Sequence, residues 1–166
     1  SGPKIAVNGN ENVIEDGSSN PVSLNATDFG ETCPTGAIVK TFTIENKGVS
    51  DLVLAADAIA VSGGDADQFT IGDIELPATI DTNESTTFTV TFNPDAIGVA
   101  TTTVTIASND CSSDAYDFSI NATATSEEFE PPVIVCPTLE TVYYTNANAC
   151  YTNIPLVVTA TDNCTL

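Results

Sequence analysis

The clearest alternation of apolar and polar residues runs from Ser85 to Ile106. Phe88, Val90 and Phe92 fall on one side of the chain and Thr87, Thr89 and Thr91 on the other. Beyond a turn, Ala100, Thr102, Val104 and Ile106 oppose Thr101, Thr103 and Thr105. Successive side chains leave a strand on opposite faces, so a period of two predicts a half-buried β-strand in each run. Asn93-Pro94-Asp95-Ala96-Ile97-Gly98 separates them with turn chemistry, since proline presets φ and glycine is free to reverse. The two runs read as a long antiparallel hairpin whose apolar face needs a second sheet to cover it.

The rest of the chain carries weaker versions of the same signal. Lys4–Val7 and Asn12–Glu15 read as short strands, and Asp16–Pro21 as loop. Thr27-Asp28-Phe29-Gly30 places a lone aromatic before a further Gly/Pro-marked loop, Glu31–Gly36. From Ile38 the alternation strengthens, with Phe42 and Ile44 facing one way and Thr41, Thr43 and Glu45 the other, until Asn46-Lys47-Gly48 ends the strand. Leu52 and Leu54, Ile59 and Val61, then Phe69 and Ile71 mark further strands, and Leu76–Asn83 reads as an exposed connection. Tyr116, Phe118 and Ile120 point inward from a last strand. Seven or so strands at 8–12-residue spacing, with no helical window, predict an all-β, two-sheet antiparallel sandwich. Ser126–Pro132 (SEEFEPP) reads as a stiff acidic linker. Beyond it, Val133–Pro137, Glu140–Tyr144 and Ile154–Ala160 make about three strands, too few to close a sandwich. The organisation is therefore two tandem domains, 1–125 and 133–166, with 126–132 between them and the second incomplete.

Composition narrows the function more by exclusion than by assignment. The 166 residues are 42% hydrophobic, enough for a packed core. Histidine, arginine, methionine and tryptophan are absent, and Lys4, Lys40 and Lys47 alone stand against 23 acids, a net charge of −20. Phosphate contacts need Lys and Arg in numbers, so nucleic-acid binding is excluded, and anionic lipid is disfavoured for the same reason. No apolar run reaches the roughly 18–20 residues a membrane helix needs, so no membrane insertion is expected. Ser1-Gly2-Pro3 reads as a processed end without a signal-peptide pattern. The acidity reads first as solubility and self-repulsion, second as Ca²⁺ binding through clustered oxygens. Five cysteines in a Thr/Asn/Gly-rich chain suggest an oxidising compartment.

Two resemblances carry more. Thr27-Asp28-Phe29-Gly30, Lys40–Gly48, Ser85–Pro94, Ile106–Asp110 and Tyr116–Ala122, in that order, resemble the bacterial choice-of-anchor D domain, a member of the ASH/PapD-like immunoglobulin-like sandwiches. Pro131–Pro137, the Asn148-Ala149-Cys150 turn and Ala160–Cys164 resemble the opening of a HYR (hyalin repeat) domain, also immunoglobulin-like and associated with cell adhesion. Both families occur as modules of large secreted or surface-anchored bacterial proteins, commonly from Bacteroidota, and neither brings a catalytic motif. The HYR resemblance implies a Cys150–Cys164 disulfide and leaves Cys136 to a partner beyond Leu166. Cys33 and Cys111 remain. Simple arithmetic pairs them, whereas immunoglobulin order puts their loops at opposite ends, and a disulfide needs Cα atoms within about 7 Å; that pairing stays open. Zinc has neither a CxxC nor a histidine to hold it.

Candidate chemistry is thin. Acidic pairs at Asp65/Asp67, Asp73/Glu75, Asp110/Asp114 and Glu127/Glu128 sit where turns favour Asp. Asp65-Ala66-Asp67 stops short of a Ca²⁺ loop, and Asp162-Asn163 beside Cys164 is the other weak metal candidate. Nucleophilic catalysis lacks a histidine base and a Ser-x-x-Lys motif. The expectation is an extracellular, cell-surface structural or adhesive module with no catalytic residues and no obligatory cofactor. Its partners would be neighbouring domains of the same chain, surface glycans or other cell-surface proteins. The alternative is a Ca²⁺-dependent carbohydrate-binding or accessory module of a secreted enzyme.

Overall fold

The computed structural model describes residues 2–112, 115–126, 133–135 and 159–161. The chain opens with β1 (Ile5–Gly9) and β2 (Asn12–Ile14), joined by a two-residue turn in which Asn10 and Glu11 both take positive φ (48° and 62°). That left-handed pair matches the twist of a tight hairpin. There follow β3 (Asp28–Thr32), β4 (Ile38–Asn46), β5 (Leu52–Leu54), β6 (Ile59–Ser62), β7 (Phe69–Gly72), β8 (Ala78–Ile80), β9 (Ser85–Phe92), β10 (Gly98–Ile106) and β11 (Tyr116–Ala124). One sheet has the order β2-β1-β4-β9-β7 and the other β3-β11-β10-β6, with β5 and β8 as a separate pair. All pairings are antiparallel except β3 with β11. The all-β antiparallel sandwich expected from the spacing is what forms.

The long hairpin is not. β9 pairs with β4 on one edge and β7 on the other, while β10 pairs with β11 and β6 in the opposite sheet. Residues 93–97 cross from sheet to sheet, and the Asn93 N–H extends the β7 side by donating to the Gln68 carbonyl at 2.8 Å. Alternation reports which face of a strand is buried, not which strand lies on its edges. Both runs bury the expected faces: Phe88, Val90 and Phe92 are fully buried, as are Val104 and Ile106. Two further expectations change. Glu31 and Thr32, expected in a loop, end β3, and Ala78–Ile80 within the supposed exposed connection pairs with β5, burying Ile80. Strands of three to five residues are too short to display a period, so their pairing comes from tertiary context.

The inward faces meet in a ring-rich core. Phe42 lies 5.5 Å from Phe88 and 5.5 Å from Phe118, ring centre to ring centre, and Phe29 stands edge-on to Phe69 at 5.8 Å. The registers define two poles. Glu45 opposite Ser85 and Ile106 opposite Tyr116 lie at one pole, Ile38 opposite Phe92 and Gly98 opposite Ala124 at the other. The chain enters β1 at the first, where Ile5 lies opposite Asn46, and leaves β11 at the second. Farther on, β12 (Val133–Val135) and β13 (Thr159–Thr161) pair antiparallel. The remaining residues expected in the second domain and linker lie outside the described residues.

Candidate functional site

The densest polar construction lies at the pole where β1 begins. Asn46 ends β4 with the parity of Phe42 and Ile44, so its amide points inward and is fully buried. Its Oδ1 accepts from the Lys4 N–H at 3.3 Å and the Gly48 N–H at 2.9 Å, and its Nδ2 donates to the carbonyls of Ser50 at 2.8 Å and Ile80 at 2.9 Å. One side chain thereby joins the first strand, the β4–β5 turn and β8. Gly48 is required beside it, because a Cβ there would meet the Gly2 carbonyl at 2.4 Å and the Lys4 nitrogen at 2.5 Å. The N-terminal segment passes over that bare backbone, with the Lys47 N–H donating to the Lys4 carbonyl at 2.8 Å.

Asp110, buried between β10 and β11, holds the same segment from the other sheet. Its carboxylate accepts from the Ile5 N–H at 3.0 Å, the Ser112 N–H at 2.8 Å and the Ser112 hydroxyl at 2.6 Å. Burial pushes its pKa up, but the Ser112 hydroxyl and N–H, the Ile5 N–H and the charge of Lys4 together hold it below the ordinary 3.8. A depressed carboxyl stabilises the fold above its unfolded value and loses that contribution as pH falls through the folded one. Asp110→Ala, which strands the Ile5 N–H, should cost about 1–3 kcal/mol at neutral pH. In urea titrations the gap to the native protein should be full above pH 3.8 and close below it; a gap constant down to strong acid would dismiss the ionic clasp.

Tyr116 makes the complementary crossing, donating its hydroxyl from β11 to the Ile14 carbonyl of β2 in the opposite sheet. Burial raises the phenol above its ordinary 10.0; a hydrogen bond from the Val7 backbone opposes this, and the charges of Asp16 and Glu15 add to it. The folded state therefore holds this proton more tightly than the unfolded state. Its stabilisation is complete below the unfolded value and lost as pH rises through the folded one. Tyr116→Phe should cost about 1 kcal/mol at neutral pH. It should also reduce the alkaline loss of stability above pH 10, measured as the difference between denaturation midpoints; equal alkaline slopes would contradict the assignment.

Between these anchors lies a cavity of about 550 Å³, lined by Lys4, Lys47, Gly48, Asp110, Cys111 and Ser112 among others. It holds two of the chain's three lysines. Lys47 pairs with Glu45 at 2.8 Å, and the Asp110 carboxylate is already committed to backbone. Cys111 is an exposed free thiol. The polar groups here hold the first strand in place. Neither a nucleophile with its base nor an oxygen cage is assembled among them.

The residues singled out from the sequence scatter. Asp65, half-buried, accepts from the Thr101 N–H at 2.9 Å while its own N–H donates to the Thr101 carbonyl at 3.0 Å, fastening the β6–β7 crossing to β10. Asp67 is exposed in the following 3₁₀ turn. Asp73 accepts from the Thr89 hydroxyl at 2.9 Å. Among the described residues no three His, Cys, Asp or Glu side chains come together to hold a metal ion. Asp162, Cys136, Cys150 and Cys164 lie outside the described residues. Cys33 and Cys111 are not partners: Cys111 is free, whereas Cys33 is buried and disulfide-bonded. Cys33 follows Thr32, which lies opposite Ala124, and Cys111 precedes Tyr116 at the far end of the same strand. A nine-residue strand at about 3.3 Å per residue separates those ends by roughly 26 Å. In the sequence Asp110 reads only as half of an acidic pair, Tyr116 only as an inward-pointing ring and Asn46 only as turn chemistry, although Asn46 continues the inward parity of Phe42 and Ile44.

Two sealed sheets, a ring-stacked core and polar side chains spent on backbone define an immunoglobulin-like β-sandwich domain. Residues 21–123 match the family described as HYDIN/CFA65/VesB-like, Ig-like domain, and the chain belongs to that family. A comparison with curated proteins found no match. Among solved structures the chain is similar to a protein of unknown function from Porphyromonas gingivalis W83, at 13% identity and a TM-score of 0.53, over 74% of this chain and 47% of that one. It thus spans about half the length of that protein. It is also similar to the ASH/PapD-like domain 7 of human CEP192, at 15% identity and a TM-score of 0.49, over 75% of this chain and 87% of that one. At these identities the likeness concerns the fold alone.

Proposed function

We propose that the chain is a non-catalytic structural and adhesive module of a large secreted or cell-surface bacterial protein, working in series with neighbouring domains. In this reading residues 1–125 are a choice-of-anchor D-like sandwich, 126–132 a linker and 133–166 the opening of a HYR-like domain. The observation that carries it is the placement of the two chain ends of the sandwich. The chain enters β1 at one pole and leaves β11 at the other, so domains joined in tandem extend end to end. Membership of an Ig-like domain family supports a non-catalytic module, and the net charge of −20 keeps such modules apart along a crowded string.

Pulling the chain from its two ends in a force spectrometer tests the reading. With disulfides reduced, residues 5–124 should release as one cooperative step of roughly 400 Å, at about 3.4 Å per residue. Gradual lengthening without a step would count against a load-bearing module. A glycan array and Ca²⁺ calorimetry supply the other arm. Saturable glycan binding that needs Ca²⁺ would replace the spacer by a carbohydrate-binding accessory module.

A further inference from the structure

We infer that Asn83 is an acceptor for N-linked glycosylation, taking an oligosaccharide from a polyprenyl diphosphate donor. Oligosaccharyltransferases glycosylate the asparagine amide of Asn-x-Ser/Thr, where x is not proline. Four stretches of the chain have that form: Asn25-Ala26-Thr27, Asn83-Glu84-Ser85, Asn121-Ala122-Thr123 and Asn163-Cys164-Thr165. The last lies outside the described residues. The structure separates the other three.

Asn83 sits in the turn between β8 and β9, at the first pole. Asp81, Thr82, Asn83, Glu84 and Ser85 are all exposed. Backbone bonds hold the turn: the Asn83 N–H donates to the Asn46 carbonyl at 3.0 Å, and the Glu84 N–H to the Asp81 carbonyl at 3.0 Å. Asn83 takes a left-handed φ of 64°, a conformation that asparagine tolerates better than most residues. Its side-chain amide has no hydrogen-bond partner among the described residues, so a sugar joined to it displaces nothing. The other two acceptors are committed or shut in. The Asn25 Oδ1 accepts from the Thr27 hydroxyl at 2.6 Å and the Thr27 N–H at 3.3 Å, and Thr27 is buried. Asn121 lies within β11, flanked by Thr101 of β10 and Asp28 of β3, and its Oδ1 is buried. A glycan on either residue would have to break that turn or crowd the packed sheet.

The residues ahead of each acceptor select the same site. Asp81 stands two positions before Asn83, whereas Ser23, Ser119 and Thr161 hold that place before Asn25, Asn121 and Asn163. Bacterial oligosaccharyltransferases demand an acidic residue there, and Asn83 alone of the four supplies it. In the transfer the Asn83 amide nitrogen attacks C1 of the first sugar. The C1–N bond forms and the C1–O bond to the diphosphate breaks. The polyprenyl diphosphate leaves with that electron pair and a carboxylate of the transferase takes the amide proton, so nothing is oxidised or reduced. Donor and transferase act outside the cytoplasm, so the inference rests on the secreted half of the proposed function and not on adhesion.

The test directs the full chain to the periplasm of a bacterial host that supplies such a transferase and its lipid-linked oligosaccharide. Because a host signal drives the export, the outcome does not depend on whether the protein is adhesive or on how it is secreted. The intact mass should rise by one glycan, and peptide mass spectrometry should place it on Asn83. Ser85→Ala and Asp81→Ala should each abolish the addition, while Ser85→Thr should retain it. An unmodified chain, or one that carries the glycan on Asn25, Asn121 or Asn163 instead, overturns the proposal. The glycosylated and bare proteins should then unfold cooperatively at the same urea midpoint. Loss of cooperative unfolding on glycosylation would show that the turn cannot carry the sugar, and overturns the proposal as well.

Discussion

Phe42→Ala is expected to lower unfolding stability by about 3–5 kcal/mol, the cost of emptying a buried aromatic site. Phe42 is fully buried at the middle of the five-stranded sheet and touches three rings from three other strands: Phe88 of β9 at 5.5 Å, Phe118 of β11 at 5.5 Å and Phe29 of β3 at 6.4 Å. Two of those rings come from the opposite sheet, so truncation removes the contact that sets the spacing of the sheets as well as the apolar area. β-strand backbone is fixed by its ladders and cannot collapse into the void, which places the loss toward the upper end. A typical domain holds only about 5–15 kcal/mol in all. Urea unfolding followed by tyrosine or far-UV signals would show the midpoint falling steeply with little change in slope. A loss below about 1 kcal/mol would mean that the rings repack freely, contrary to the interlocked arrangement described.

Asn46→Ala should be comparably damaging for a different reason. The substitution removes little volume, but it strands two N–H donors and two carbonyl acceptors that the amide now serves, those of Lys4, Gly48, Ser50 and Ile80. Leaving buried polar groups unpaired costs about 1–3 kcal/mol each, and water can reach some of them once the turn loosens. A total of about 3–5 kcal/mol follows, near the top of the range for single substitutions. Asn46→Asp sharpens the test. It keeps the acceptor facing Lys4 and Gly48 but turns a carboxylate oxygen toward the Ser50 and Ile80 carbonyls, a repulsive contact with no donor between them. At neutral pH it should therefore be at least as unstable as Asn46→Ala. In acid it should recover part of the difference, because a protonated carboxyl can donate to one of the two carbonyls. If Asp is tolerated at neutral pH, the amide is not the junction that the distances indicate.

Much of the fold was legible because it rests on local alternation. The strands β4, β9, β10 and β11 are eight or nine residues long and each shows its buried face in the sequence. Their partners were not legible, and the reading of β9 and β10 as a hairpin failed for that reason. A turn of Asn, Pro, Asp and Gly serves equally to fold a chain back beside itself or to carry it across about 10 Å to the facing sheet. The choice was made by β4 and β7, which occupy both edges of β9. Phe29 shows the same limit from the other side, since a single aromatic in a five-residue strand gives no period. It acquires its role only when β3 docks parallel to β11 and brings the ring against Phe69.

The polar pole was legible in part. Asn46 continues the inward parity of Phe42 and Ile44, and a polar residue on a buried parity is itself a signal that its hydrogen bonds must be met inside. What it binds could not be read, because its partners lie up to 42 positions away in sequence. Asp110 looked like one more loop acid among many. It differs from Asp67 in that Ile5, 105 positions away, brings its N–H to the carboxylate, which Ser112 also serves. Among the described acids that suggested metal or acid–base chemistry, Asp65 serves the Thr101 N–H, Asp73 the Thr89 hydroxyl and Asp110 the Ile5 and Ser112 N–H groups, each in a different turn. Cys33 and Cys111 end at opposite poles, which decides between the two arrangements that simple counting and loop order had left open.

The sequence alone determined that this chain is an all-β sandwich with a phenylalanine-rich interior and a strongly acidic exterior, because period, propensity and charge are properties of short stretches. Only the tertiary structure decided which strands share a sheet, which polar side chains clasp the first strand, and at which pole each cysteine lies. Those are contacts between residues tens of positions apart, fixed when every strand edge and every buried donor must find a partner at once.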